Sequence, residues 1–155
     1  MDVTLTWAET LAAVSIGGYR RIASLQAGLI SYSEGLSWTE DIEGAGAELA
    51  VAKYLDRFWT ASVNSFDRDV GDVGRLQVRR VRKATHRLIV RQRDLDDHKF
   101  ILVAGELPKF DVAGWIYGHE AKQTEYLDDP NDRESAYFVP RSALRPTKEL
   151  RLFWN

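Results

Sequence analysis

Near Trp59 the hydrophobic pattern of this 155-residue chain changes period. Before it, apolar residues recur every three or four positions; after it, they alternate with polar ones. A segment with one period cannot bury its apolar set in the other geometry, so the chain is expected to fold as helices first and strands second. Thr6-Trp7-Ala8-Glu9 has the spacing of a capping box. The apolar set Trp7, Leu11 and Val14 continues at helical spacing through Ile22 and Leu25, and Gly17-Gly18 is expected to kink or split this helix. The run from 28 to 35 reads as a connector. Ser37-Trp38-Thr39-Glu40 is a second capping box, opening a helix to about Phe58 whose core face is Val51, Tyr54, Leu55 and Phe58.

Alternation predicts strands over 61–66, 76–81, 87–91, 100–104 and 112–116, with a connection at 94–97 and a break at Leu107-Pro108. A short helix is expected within 118–126 and a last short strand over 137–140. The helix carrying Glu48 should pack on a sheet built from strands near 61–66, 75–82, 87–92 and 99–105. The expected fold class is α/β or α+β: N-terminal helices followed by a mixed, mostly antiparallel sheet. No repeat or long linker divides the chain, so we expect one domain over 1–155, with a helical extension at 1–36 and a core at 37–145.

Composition excludes several chemistries. The absence of cysteine removes disulfides, thiolate zinc sites, iron–sulfur clusters and a cysteine nucleophile. No window approaches 18 uninterrupted apolar residues, and the opening segment lacks a basic stretch followed by an apolar one. A soluble cytoplasmic protein with no membrane partner is therefore expected. Gly44-Ala45-Gly46 lacks the lysine and hydroxyl of a phosphate-binding loop, no serine has nucleophile-elbow context, and the three histidines are too scattered for a metal pair.

The formal net charge of -2 conceals a strong asymmetry. Arg75, Arg79, Arg80, Arg82, Lys83, Arg87, Arg91 and Arg93 put +8 into 19 residues without a single acid, so the rest carries -10. Such a run is either a solvated face balanced by acidic loops or a surface for a polyanion. Arginine suits phosphate geometry, which makes Arg75, Arg80, Arg82, Lys83, Arg87 and Arg91 candidates for binding nucleic acid.

Three features around this run carry chemistry. Glu48 shares a helical face with Val51 and Leu55, where a carboxylate is expensive unless a cation meets it or it lies at the stripe's edge, near the positive end of its helix, and reaches water. Asp72 stands among glycines in Gly71-Asp72-Val73-Gly74, where the backbone can turn and present a carboxylate at the mouth of the next strand. Gln77-Val78-Arg79 then projects an amide and a guanidinium from one strand face. The order of these features resembles the PD-(D/E)xK nuclease superfamily, with Glu48, Asp72 and then Gln77 and Arg79 in place of the (D/E)xK pair. Later segments look like small phage-encoded proteins of this type, which would act in the host cell.

The resemblance implies a restriction-endonuclease-like core and a DNA endonuclease or nickase. It also implies Mg²⁺ or Mn²⁺ held by Asp72, Gln77 and Glu48, with Arg79 steadying charge on the phosphate. Arginine is too weak an acid to act as a base, so Lys53, Lys99 or Lys122 would have to supply one. The same features also fit a nucleic-acid-binding protein that has lost catalysis, or a structural or adaptor protein of a phage. Oligomeric state is left open, a homodimer included.

Overall fold

A computed structural model describes residues 1–29, 37–63, 71–129 and 135–152. Strand β1 (Asp2–Thr4) precedes helices α1 (Trp7–Gln26) and α2 (Ser37–Leu55). Strands β2 (Leu76–Val81), β3 (Leu88–Arg91), β4 (Lys99–Glu106) and β5 (Lys109–Tyr117) follow. Helix α3 (Gly118–Ala121), strands β6 (Leu127–Asp128) and β7 (Ala136–Val139), and helix α4 (Lys148–Leu152) complete the order. The class is mixed α+β, and apart from the three-residue β1 the long helices precede the strands, in keeping with the change of period.

The strands form two sheets, in the orders β1-β5-β4-β2 and β3-β7-β6. The pair β2·β4 is parallel; β1·β5, β4·β5, β3·β7 and β6·β7 are antiparallel. One core cluster, with Val51, Leu55, Leu76, Ile101, Val103 and Val112, joins α2 to one face of the first sheet. The other, with Leu88, Val90, Phe100, Leu102, Ile116 and Val139, fills the space between the two sheets. Alternation along β4 makes this possible, because Phe100 and Leu102 point one way and Ile101 and Val103 the other. The expected single sheet is corrected here: β3 pairs with β7, not with its sequence neighbours. The expected strand at 61–66 is not formed over 61–63, and 64–66 lie outside the described residues.

Helix α2 is buried nearly all round, through Ala45, Ala47, Ala50, Val51 and Ala52, because it lies between the first sheet and α1. It ends at Leu55, not Phe58. Asp56 adopts φ 54°, and the Arg57 amide turns back to the Ala52 carbonyl at 2.9 Å, which closes the last turn. Phe58 is left 85% exposed.

Gly17-Gly18 does not split α1, which runs unbroken from the Thr6/Glu9 capping box to Gln26. Gly17 is where α1 and α2 touch: a Cβ there would lie 2.6 Å from Ile42 N and 2.8 Å from Asp41 O. Gly18 points the other way, and a Cβ would meet nothing within 4 Å. Gly17→Ala should therefore cost about 1–3 kcal/mol by forcing two backbones apart. Gly18→Ala should stabilise by about 0.5–1 kcal/mol through helix propensity. Urea unfolding of the two variants checks both signs.

Candidate active site at the edge of β2

Strand β2 ends its sheet, and the chain enters it through a tight turn. The Leu76 amide donates to the Val73 carbonyl at 3.0 Å, and Gly74 supplies the left-handed conformation at φ 61°. This turn lays Asp72 along the free edge. The Asp72 amide donates to the Leu76 carbonyl at 2.7 Å, and Asp72 Oδ2 accepts from the Val78 amide at 2.7 Å. Asp72 thus brackets Gln77 on its own strand, so the turn chemistry expected of the glycines does present this carboxylate.

Glu48 reaches the same region from α2. The cation that a carboxylate on this stripe demands is Arg20 of α1, whose Nη1 and Nη2 donate to Glu48 Oε1 and Oε2 at 2.6 and 2.7 Å. The Trp59 indole adds a third hydrogen bond, 3.1 Å to Glu48 Oε2, and Arg20 Nε donates to the Ser62 carbonyl at 2.9 Å. Glu48 and Arg20 side chains are only 10% and 18% exposed. Sequence reasoning missed Arg20 and the hydrogen bond from the Trp59 indole. The usable signal was that Arg20 and Arg21 are the only basic residues in a helix whose remaining faces carry a single acid, Glu9.

Asp72 feels the charge of Glu48. Burial, and then that charge, push the Asp72 carboxyl up to about 6, against the opposing pull of the Val78 amide, Arg79 and Arg20. Asp72 and Glu48 therefore lie within reach of each other's charge, and Arg20 acts as counter-charge to both.

Gln77 and Arg79 stand on the other face of the sheet from α2. Gln77 is in register with Phe100 of the inter-sheet cluster, whereas Val78 packs into the α2 cluster. Arg79 donates to Asp94 Oδ2 at 3.1 Å and lies over the Phe100 ring, 5.1 Å from its centroid. Arg79 is thus tied to the loop after β3, within the field of Asp72 but not gathered around it. Two of the suggested bases are engaged elsewhere. Lys53 binds Glu9 at 2.7 Å and the Thr4 carbonyl, and Lys122 binds Asp96 at 2.6 Å and the carbonyls of Gln92 and Asp94. Lys99 lies over the Tyr117 ring.

By chemistry the Asp72 carboxylate and the Gln77 amide carry oxygens of the type Mg²⁺ and Mn²⁺ take, while both oxygens of Glu48 are already held by Arg20 and Trp59. Among the described residues no group of three or more His, Asp or Glu could hold a metal ion.

The arginine-rich run is not one continuous face. Arg80 is turned inward, donating to the Gly105 carbonyl at 3.0 Å beside Glu43, which removes it from any exposed surface. Arg82 pairs with Glu106 at 2.7 Å and Arg87 with Asp128 at 3.0 Å. Arg75, Lys83, Arg91 and Arg93 are exposed. Arg75 and Lys83 bracket the two ends of β2, roughly 25 Å apart.

No helix among the described residues is long and apolar enough to cross a membrane. Comparison with protein-family models, curated proteins and solved structures found no match.

Proposed function

We propose that this chain is a metal-dependent DNA endonuclease or nickase on a restriction-endonuclease-like core with an altered Gln-x-Arg motif. The observation that carries the reading is Asp72, held by the Val78 amide along the free edge of the strand bearing Gln77 and Arg79 and within the field of Glu48 from a distant element. A buried carboxylate whose proton affinity is raised by a second one makes a site that gains from a cation. Asp72 and Gln77 would hold Mg²⁺ or Mn²⁺, with Glu48 behind them. The ion would supply Lewis acidity and an activated water. The chain's own part is to orient Asp72 through the Val78 amide, to fix Glu48 through Arg20 and Trp59, and to hold Arg79 near the developing phosphate charge.

A second reading has its own support. Arg20 already neutralises Glu48 with two hydrogen bonds, the arrangement expected if a guanidinium has replaced the need for a metal. On that reading the protein binds nucleic acid without cutting it. Supercoiled plasmid incubated with Mg²⁺ or Mn²⁺ decides between them. The nuclease reading expects metal-dependent nicked or linear DNA, lost with chelator and with Asp72→Ala. DNA that is bound but never cut favours the second reading, and DNA that is not bound sinks both, leaving an adaptor role with a protein partner.

Binding itself should follow the exposed cations. Lys83→Glu and Arg91→Glu should each lower the log–log salt slope of DNA affinity by about 1 or slightly more, whereas Arg80→Met should leave that slope unchanged. Equal effects at all three positions would show that the slope reports folding and not phosphate contact.

A further inference from the structure

Helix α1 is built inside out. Its three charged residues are each taken up in an ion pair, Arg20 with Glu48 and Arg21 with Asp41 in buried settings and Glu9 with Lys53 at the surface. The face turned to solvent carries no charge. Trp7 is 83% exposed, Leu11 68%, Val14 40%, Ile22 46% and Leu25 53%, with Leu29 exposed just beyond the helix. These positions, with Gly18, share one stripe at the i, i+4, i+7, i+11 spacing of a core-facing helix, the same set that reads as buried from the sequence. A helix on a solvent-exposed layer ordinarily shows the reverse arrangement, and a contiguous apolar patch of this size marks an interaction surface.

The order of the stripe names its partner. Counted outward from Gly18 along the helix, Val14 matches Ile22 and Leu11 matches Leu25, each pair equally distant from the centre, and Trp7 lies toward the turn past the helix end that carries Leu29. Two copies laid antiparallel about a two-fold axis at Gly18 would therefore oppose apolar to apolar along the helix. At the axis itself the open space over Gly18 lets the backbones approach. The exposed apolar side chains offer on the order of 600 Å² per copy, close to the roughly 800 Å² per partner of a standard stable interface. No charged residue of α1 lies on the stripe itself.

We propose that this chain forms a homodimer through antiparallel packing of α1 against α1, with its axis at Gly18. The inference is independent of the nuclease reading. Sedimentation of the full chain across a micromolar concentration series should give a species of twice 17.6 kDa. Leu11→Glu should shift it to monomer with an unchanged circular-dichroism spectrum, and adding Leu25→Lys should restore the dimer, because position 11 of one copy meets position 25 of the other. Should Leu11→Glu lose its fold, Gly18→Arg offers the same disruption at a site where a side chain meets nothing. The absence of cysteine permits a direct test of register. Gly18→Cys should be joined to its copy by a short bis-maleimide. Trp7→Cys should not, since those positions would stand about 33 Å apart. A monomeric wild type, a dimer indifferent to Leu11→Glu and Gly18→Arg, or cross-linking at position 7 would each overturn the proposal. So would a monomer that instead floats with neutral phosphatidylcholine vesicles.

Discussion

Arg20→Ala should destabilise the fold by about 3–5 kcal/mol, the range for removing one partner of a buried ion pair. The loss goes beyond the pair's own attraction. Without the guanidinium, Glu48 keeps, among the described residues, only the Trp59 indole as a donor and stays buried within the field of a second carboxylate. For a chain of this size that corresponds to a fall in Tm of about 10 °C. Glu48→Gln in the Arg20→Ala background should recover part of the loss, because it removes the uncompensated charge. Millimolar Mg²⁺ should stabilise Arg20→Ala more than the wild type, since both carboxylates are then open to a cation. A loss below about 1 kcal/mol in urea titrations would mean that the pair behaves as an exposed one.

Asp72→Asn should separate stability from activity. A carboxyl held at about 6 in the folded state, against an ordinary value of 3.8, binds its proton more tightly once the chain has folded. Its ionised form therefore penalises the fold fully above about pH 6, and the penalty disappears as pH falls below about 4. A carboxyl raised this far corresponds to a penalty of roughly 2–3 kcal/mol. Asparagine keeps an oxygen for the Val78 amide and removes the charge. The variant should thus be more stable than the wild type at pH 7.5, with the difference closing toward pH 4. If the nuclease reading holds, plasmid cleavage should fall by about 10³-fold or more in the same variant. A wild type and variant whose unfolding free energies differ equally at pH 4 and 7.5 would show that Asp72 is not ionised in a buried setting.

Such opposed effects are characteristic of a site kept for chemistry and not for packing. The same contrast explains what sequence reading could reach. Local signals located the turn at Gly71–Gly74 and the capping box at Thr6, because both depend on residues within a few positions of one another. Glu48 was recognisable as an anomaly, since a carboxylate on an apolar stripe demands a cation. Which cation was not legible: Arg20 lies 28 residues away on another helix, and only the packing of α1 on α2 brings them together.

Periodicity was sufficient to place the two long helices ahead of the main strands, because a segment's apolar spacing restricts which geometry can bury it; β1, α4 and the lack of a strand at 61–63 lay beyond it. Three outcomes depended on tertiary packing. The splitting of the strands into two sheets follows from β3 pairing with β7, some 48 residues on, a choice no local pattern encodes. Gln77 and Arg79 share a strand with the residues Asp72 grips, yet the sheet separates them from α2 and Glu48, because alternation sends neighbouring side chains to opposite faces. The apolar stripe of α1 reads correctly as a face made to be buried. Helix α2 occupies the sheet and covers only one side of α1, so that stripe remains exposed within a single chain. Periodicity specifies that a face should be covered, whereas only the arrangement of layers determines whether the chain covers it.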